Sequence, residues 1–331
     1  MPAPVKNHLT FISIIRYYTK LKDSMIKIFD KYSATADAII NNGSCYDFVK
    51  TIPDKSVTLI ITSPPYNIGK KYEKKTSLNE YYFRQEQIIN ECVRILADNG
   101  SICWQTGNFV ENSEIVPLDI LLYSIFQKNN LKLRNRIIWQ FGHGLHASKR
   151  FSGRYETILW FTKTDNYIFN LDAVRVPQKY PQKKYFKGPR IGELSCNPLG
   201  KNPSDIWDIP NVKNNHVEKT IHPCQFPIEL VERLILALTN ENDMVFDPFL
   251  GVGSTSAAAI KNKRRGMGCE IMEEYYIIAV ERTKLAMDGK LKSRPINKPI
   301  YDPKNTEINL EYEWEILLEQ STLFTKQPID L

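Results

Sequence analysis

The sequence predicts an α/β fold, a mostly parallel twisted sheet with helices on both faces. Three observations carry this reading. Short apolar runs of strand length alternate with longer segments of helical period along a 331-residue chain, the pattern of β-α-β units. Two motifs, Thr62-Ser63-Pro64-Pro65-Tyr66-Asn67 and Asp247-Pro248-Phe249-Leu250-Gly251-Val252-Gly253-Ser254-Thr255, each follow an apolar run directly. Both therefore sit at the carboxyl ends of buried strands, where open α/β sheets place their ligands.

The elements follow in order. Residues 1–37 read as a variable basic lead-in, with Met25 as an alternative start. The apolar stretch 9–15 lacks a cleavage site and a preceding basic cluster, so no signal peptide is expected. Asn41-Asn42-Gly43-Ser44 is a turn, and 45–50 a short helix ended by Pro53. Residues 57–61 form a strand. Over 80–97, Phe83, Ile88, Ile89, Cys92, Val93 and Leu96 recur at helical spacing, and Asn99-Gly100 supplies the stop. Strands are predicted at 101–106, 136–139 and 155–162, with a helix at 117–127 between the first two.

Periodicity then fades. Residues 164–220 are rich in Pro, Lys, Asn and Gly, and their Trp and Tyr content favours an ordered insertion over a linker. Regular structure returns with an amphipathic helix at 228–238, a strand at 244–246, a helix at 254–262, a strand at 265–269 and a helix at 274–287. A polar tail follows.

Composition narrows the function classes. No apolar run approaches the ~20 residues that span a membrane. The six cysteines form no C-x-x-C pair, and the five histidines no H-E-x-x-H pattern, so no metal site is expected and reduced thiols in a cytosol fit best. The net charge of +7 is unevenly placed. Residues 128–201 are strongly basic, including Lys149, Arg150, Arg154, Lys183, Lys184, Lys187 and Arg190, and are interleaved with Tyr180, Tyr185 and Phe186. Such a segment suits a phosphate backbone.

The second motif gives a tight turn whose glycines let a ligand approach the backbone. It lacks the lysine of a P-loop and the third glycine of the dinucleotide fingerprint, which points to a nucleoside ligand without a pyrophosphate. Glu270 ends the next strand, where an acid takes ribose hydroxyls. The first motif suits a different problem. An exocyclic base amine is a poor nucleophile, because its lone pair is delocalised into the ring. If the Ser63 hydroxyl and the Pro64 carbonyl each accept one amine hydrogen, the nitrogen is drawn toward tetrahedral geometry. The Pro64-Pro65 pair fixes that carbonyl. Tyr66 can stack on the base and favour positive charge at the nitrogen.

These motifs, in this order, resemble the amino-methylating DNA methyltransferases (N4-cytosine or N6-adenine) of the β-type arrangement, over about residues 38–287. His222-Pro223-Cys224-Gln225-Phe226-Pro227 resembles that family's extra cofactor motif, and Arg154-Tyr155-Glu156-Thr157-Ile158-Leu159-Trp160 a later motif of the catalytic half. The resemblance implies a Rossmann-like S-adenosylmethionine-dependent methyltransferase fold with an irregular target-recognition insertion. It implies S-adenosylmethionine as methyl donor, double-stranded DNA as partner, base flipping, and direct in-line transfer without a covalent enzyme intermediate. Ser63, Pro64, Pro65 and Tyr66 would then be catalytic. Asp247, Pro248, Phe249, Gly251, Gly253, Ser254, Thr255 and Glu270 would hold the cofactor, with His222 and Pro223 nearby.

The implied organisation is a catalytic half at 38–163, a target-recognition region at 164–220, a cofactor half at 221–287 and a tail at 288–331. A prokaryotic cytoplasm and a cognate restriction endonuclease are the family expectation, with a homodimer left open. Ser63 replaces the aspartate common in adenine-N6 relatives, and Gly43-Ser44 stands where many have Gly-Asp, so cytosine N4 is favoured over adenine N6. A DNA-binding module without chemistry and an RNA methyltransferase are the competing readings. Pro223-Cys224-Gln225 also spells the nucleophile motif of cytosine-C5 enzymes. That chemistry needs an activated cysteine and another motif order, so Cys224 is expected to pack.

Overall fold

The computed structural model describes residues 18–21, 24–142, 144, 146–213 and 215–298. Strands β1 (Tyr18–Leu21), β2 (Ser24–Phe29) and β3 (Ala38–Asn42) precede helix α1 (Cys45–Phe48), which runs into a 3-10 turn. Next come β4 (Val57–Thr62), α2 (Leu78–Ile95), β5 (Leu96–Thr106), the hairpin β6 (Asn108–Glu111) and β7 (Glu114–Pro117), and α3 (Leu118–Lys128). The antiparallel pair β8 (Lys132–Gln140) and β9 (Tyr155–Thr162) follows. Beyond a long irregular stretch carrying β10 (Ile206–Asp208) lie α4 (Ile228–Leu238), β11 (Met244–Asp247), α5 (Ser254–Lys261), β12 (Arg265–Glu270) and α6 (Glu273–Met287).

The described strands other than β6 and β7 join in one sheet, ordered β1-β2-β3-β12-β11-β4-β5-β9-β8-β10. Pairing is antiparallel at β1–β2, β5–β9 and β9–β8 and parallel elsewhere. Alternation along β4 shows why the sheet is covered on both faces. Ile60 packs into one core cluster with α1, α2 and α3, while Leu59 and Ile61 pack into the other with α4. Full burial of one such side chain contributes about 1.5–3 kcal/mol. A one-residue slip would exchange the two faces, so the register is fixed. Within it Val245 pairs with Leu59 and Phe246 with Ile60. The two motifs, far apart in sequence, thus leave adjacent parallel strands side by side.

Several expectations are corrected. Residues 38–42 form β3, because Ile39 and Ile40 are buried against β12 and the turn is confined to Gly43-Ser44. The lead-in contains β1 and β2, which extend the sheet. Helix α2 ends at Ile95, since Leu96 is extended, buried and paired with Val57. Phe83 faces solvent, because the buried stripe of that helix runs through Tyr81, Gln85, Ile88, Cys92 and Ile95. Helix α4 is not half exposed. Glu229, Glu232 and Arg233 are also buried, Glu232 in an ion pair with Lys261 of α5 at 3.1 Å and the other two because the chain after α6 folds back over them. Arg294 pairs with Glu229, and Asn297 meets Glu229 and Arg233.

Candidate active site

Thr62 ends β4, and the Ser-Pro-Pro-Tyr loop turns outward from it. The Ser63 hydroxyl lies 3.0 Å from the Tyr66 hydroxyl. Tyr66 in turn donates to Glu156 Oε2 on β9 at 3.0 Å. Gln105, near the end of β5, donates through Nε2 to the same carboxylate oxygen at 2.6 Å and to the Tyr66 oxygen at 3.3 Å. Burial pushes the Tyr66 hydroxyl well above its ordinary value, and the neighbouring Glu156 charge adds to this. Burial also raises the Glu156 carboxyl, against the opposing hydrogen bonds from Gln105 and Tyr66. Because Tyr66 gives its proton to Glu156, the Ser63 hydroxyl proton is drawn toward the Tyr66 oxygen. That leaves the Ser63 lone pairs free to accept from an amine.

Gly107 completes this corner. A Cβ there would lie 2.9 Å from Tyr66 Cε2, so the absence of a side chain lets the ring occupy its place.

The second motif leaves β11 at Asp247. Its carboxylate, fully buried, accepts from Thr62 Oγ1 at 2.7 Å, from Thr255 Oγ1 at 2.6 Å and from the Phe249 amide at 3.0 Å. Desolvation dominates over these donors and brings its pKa up to about 6. Gly253 has φ of +78°, and a Cβ on it would stand 2.8 Å from Ala279 Cα, so α6 packs directly on the turn. Arg282 of α6 holds the turn from beneath, donating to the Val252 carbonyl at 2.7 Å and to Ser254 Oγ at 3.2 Å. Glu270 ends β12. Its carboxylate accepts from the Gly251 amide at 2.9 Å and the Met272 amide at 2.8 Å, so it is aimed before any ligand arrives. Phe249 meets Trp104 edge-on, with ring centroids 6.5 Å apart.

Both loops open on one cavity of about 330 Å³, within the range of small-molecule sites. Ser63, Pro64, Pro65 and Tyr66 line it together with Pro248, Phe249, Gly251, Ser254, Glu270 and His222. Four residues expected to hold the cofactor do not line it: Asp247, Gly253, Thr255 and Pro223. Asp247 and Thr255 are consumed in the brace behind the turn, and Gly253 is covered by α6. Cys224 is exposed on the cavity wall rather than packed in the interior.

The remaining wall is the loop after Tyr66. Asn67 is clasped to Thr76, and Glu73 accepts from the Asn67 and Ile68 amides at 2.7 and 2.9 Å. That holds Tyr72 stacked on His222, with centroids 5.3 Å apart and planes 17° apart. Burial brings the His222 pKa down to about 4, aided by the positive charges of Lys219 and Arg282.

The residues fit a nucleoside cofactor. A carboxylate stands preset, an aromatic plate stands beside it, and the backbone of the glycine turn is open to the cavity. A DNA methylase family model for N6/N4 enzymes matches residues 57–281. The chain is 50% identical over 243 residues to the type II methyltransferase M.BglII of Bacillus subtilis, covering 73% of this chain and 68% of that protein.

This chain belongs to the N6/N4 DNA methylase family. It is a DNA methyltransferase, of a family that takes S-adenosylmethionine as methyl donor. Two solved structures share the fold of the methylase. The cytosine-N4-specific PvuII DNA methyltransferase has a TM-score of 0.60 at 19% identity, with 77% of this chain and 94% of that one covered. A Thermus thermophilus protein complexed with S-adenosyl-L-methionine has a TM-score of 0.54 at 24% identity, covering 76% and 94%.

The seven basic residues expected to contact DNA are exposed or half-exposed. Lys149, Arg150 and Arg154 lie in the β8–β9 connection, which opens beside Tyr155 and Glu156. Lys183, Lys184, Lys187 and Arg190 lie in the insertion, with Arg190 paired to Glu193 at 2.7 Å and stacked on Tyr185. The insertion is anchored at both ends. Phe169 stacks on Trp160, and β10 adds to β8 with the Trp139 indole donating to the Ile209 carbonyl at 2.8 Å. Among the described residues no helix is long and apolar enough to cross a membrane.

Sequence reasoning missed Tyr72 and Gln105, and it placed Thr62 in the first motif without giving it a role. Gln105 carried a readable signal, a polar residue near the carboxyl end of an apolar strand next to the catalytic one. Thr62 and Tyr72 carried none, since their partners are distant in sequence.

Proposed function

We propose that this methyltransferase acts on cytosine N4 in duplex DNA, as the modification partner of a restriction endonuclease. The observation that carries the assignment is Ser63. A neutral hydroxyl stands where an acid is common in adenine-N6 relatives, and Ser44, whose hydroxyl caps α1 by accepting from the Tyr46 amide at 3.2 Å, brings no carboxylate either.

In this reading the flipped base enters between the Ser-Pro-Pro-Tyr loop and the glycine turn. Ser63 Oγ and the Pro64 carbonyl accept the two amine hydrogens, and the Tyr66 ring packs against the base. Phe249 and Glu270 take the adenine and ribose of the cofactor. S-adenosylmethionine supplies a methyl group activated by a sulfonium centre. The chain's part is orientation and exclusion of water, which align the amine lone pair with the bond that breaks. Lys149, Arg150, Arg154, Lys183, Lys184, Lys187 and Arg190 track phosphates, and residues 164–220 read the sequence.

Incubation with labelled S-adenosylmethionine and, in parallel, mixed-sequence duplex DNA or single-stranded RNA, followed by digestion and mass spectrometry of the nucleosides, tests this. N4-methylcytosine is the expected product. N6-methyladenine would overturn the base assignment and leave the site geometry standing. Label appearing only on single-stranded RNA would overturn the choice of DNA.

A further inference from the structure

The hydrogen-bond chain from Ser63 runs on past the residues that touch a base. Ser63 Oγ to Tyr66 Oη is 3.0 Å, and Tyr66 Oη to Glu156 Oε2 is 3.0 Å. Glu156 does not line the cofactor cavity. It borders a second cavity of about 250 Å³, together with Gly107, Asp119, Arg136 and Tyr155. The carboxylate therefore separates two spaces, the reaction chamber reached through Tyr66 and an outer chamber rimmed by the exposed side chains of Arg136 and Tyr155.

We propose that Glu156, acting through Tyr66 and Ser63, takes the proton that the target amine sheds on methylation and passes it to the outer cavity. The proposal rests on the amine-methylation reading above. The amine nitrogen uses its lone pair to bond the methyl carbon, while the carbon–sulfur pair leaves with sulfur. The nitrogen then carries one positive charge and one proton more than the neutral product. That proton moves to Ser63 Oγ as the Ser63 proton moves to Tyr66 Oη and the Tyr66 proton to Glu156 Oε2. Glu156 is left neutral and reionises by giving its proton to water.

Three features support this direction of flow. Gln105 Nε2 donates to both Glu156 and Tyr66, so neither oxygen can turn away from the chain. The groups around Glu156 leave it as the acceptor. Arg136 of β8 is already paired with Asp119 of α3 at 2.6 Å. Arg154 and Tyr155 precede Glu156 at the start of β9, and the neighbours at and just beyond the end of β5 are the neutral Gln105, Thr106 and Gly107. Finally, burial raises the Glu156 carboxyl, which increases its affinity for the proton it receives.

Glu156→Gln and Tyr66→Phe test the proposal. Glu156→Gln keeps the shape and an acceptor oxygen but removes the basic carboxylate, and Tyr66→Phe keeps the ring but breaks the chain. Single-turnover rates on mixed-sequence duplex DNA are measured across pH, with S-adenosylmethionine and DNA affinities measured separately. Loss of general-base assistance lowers rates by roughly 10²–10⁴-fold. The expected result is a rate loss in that range for each variant, affinities within about twofold of the parent, and a double variant no slower than either single one. The acid limb of the parent's pH–rate profile should disappear in Glu156→Gln. Retention of the parent rate and acid limb in Glu156→Gln would overturn the relay while leaving amine methylation intact. So would a full parental rate in Tyr66→Phe, which covers the case in which Glu156→Gln fails to fold. Absence of any base methylation by the parent would overturn both the relay and the function it rests on.

Discussion

Thr62 donates its hydroxyl proton to Asp247 at 2.7 Å inside the sheet, and this bond joins the two motifs of the site. Thr62 immediately precedes the Ser-Pro-Pro-Tyr loop, and Asp247 opens the glycine turn. The distance between the loops proposed to activate the base and to hold the cofactor is therefore set by a buried pair that does not line the cavity.

Replacing Thr62 with Val keeps its shape and removes the donor. Asp247 Oδ1 then keeps only the Phe249 amide, and the loss of one hydrogen bond to a charged group costs about 1.5–3 kcal/mol. Urea unfolding should show that loss, and calorimetry should show weaker S-adenosylmethionine binding. Unchanged stability and affinity would mean that the pair is a bystander.

Tyr66→Ala removes the plate and the relay hydroxyl together. Methyl transfer should fall by at least about 10²-fold, while cofactor affinity stays close to the parent's, since Phe249, Glu270 and the glycine turn are untouched. A rate assay beside a binding titration separates the two. A variant with full activity would defeat the assigned role of this loop.

At Gly107 an added methyl would lie 2.9 Å from the Tyr66 ring. Gly107→Ala should push that ring off Glu156, slowing turnover more than it weakens cofactor binding. Steady-state kinetics would show the effect chiefly in kcat. An effect confined to cofactor affinity would contradict it.

His222 gives the pH dependence. Burial brings its pKa to about 4 in the folded protein, against about 6.5 in an unfolded chain. The unfolded state therefore binds more protons between these values. The stability this group contributes is fully present above pH 6.5 and is lost as pH falls toward 4. His222 stacks on Tyr72 and meets Tyr275 edge-on at 4.6 Å, so the ring that titrates is part of the cavity wall. Across that window, His222→Gln should lose less stability than the parent. The difference should be at most about 3 kcal/mol, less whatever solvent screens at this partly exposed ring. Parallel stability curves for the two proteins would refute this.

Much of the molecule was legible in the chain. Strand β9 and helix α4 fall at their predicted positions, because apolar period alone distinguishes them. The two motifs were readable as sites because a rigid or glycine-rich turn after a buried strand has few purely structural uses. Misreadings cluster where tertiary partners override local signals. Leu96 looked helical by spacing and became strand because Val57 offers it an edge. Glu229, Glu232 and Arg233 looked like the wet face of α4 and were buried. Arg294 and Asn297 return over that helix and meet Glu229 and Arg233.

The sequence by itself determined the α/β class, the family and the residue types proposed to meet an amine and a nucleoside. Only the tertiary structure decided what those residues do in detail. It moved Asp247 and Thr255 from the cofactor wall into a brace, brought Gln105 and Glu156 to the Tyr66 hydroxyl, and put Tyr72 on His222. The physical reason is range. Apolar period and turn chemistry act over a few residues and can be read in order. Hydrogen bonds such as Thr62–Asp247 and Tyr66–Glu156 join positions that only the strand order β11-β4-β5-β9 makes neighbours.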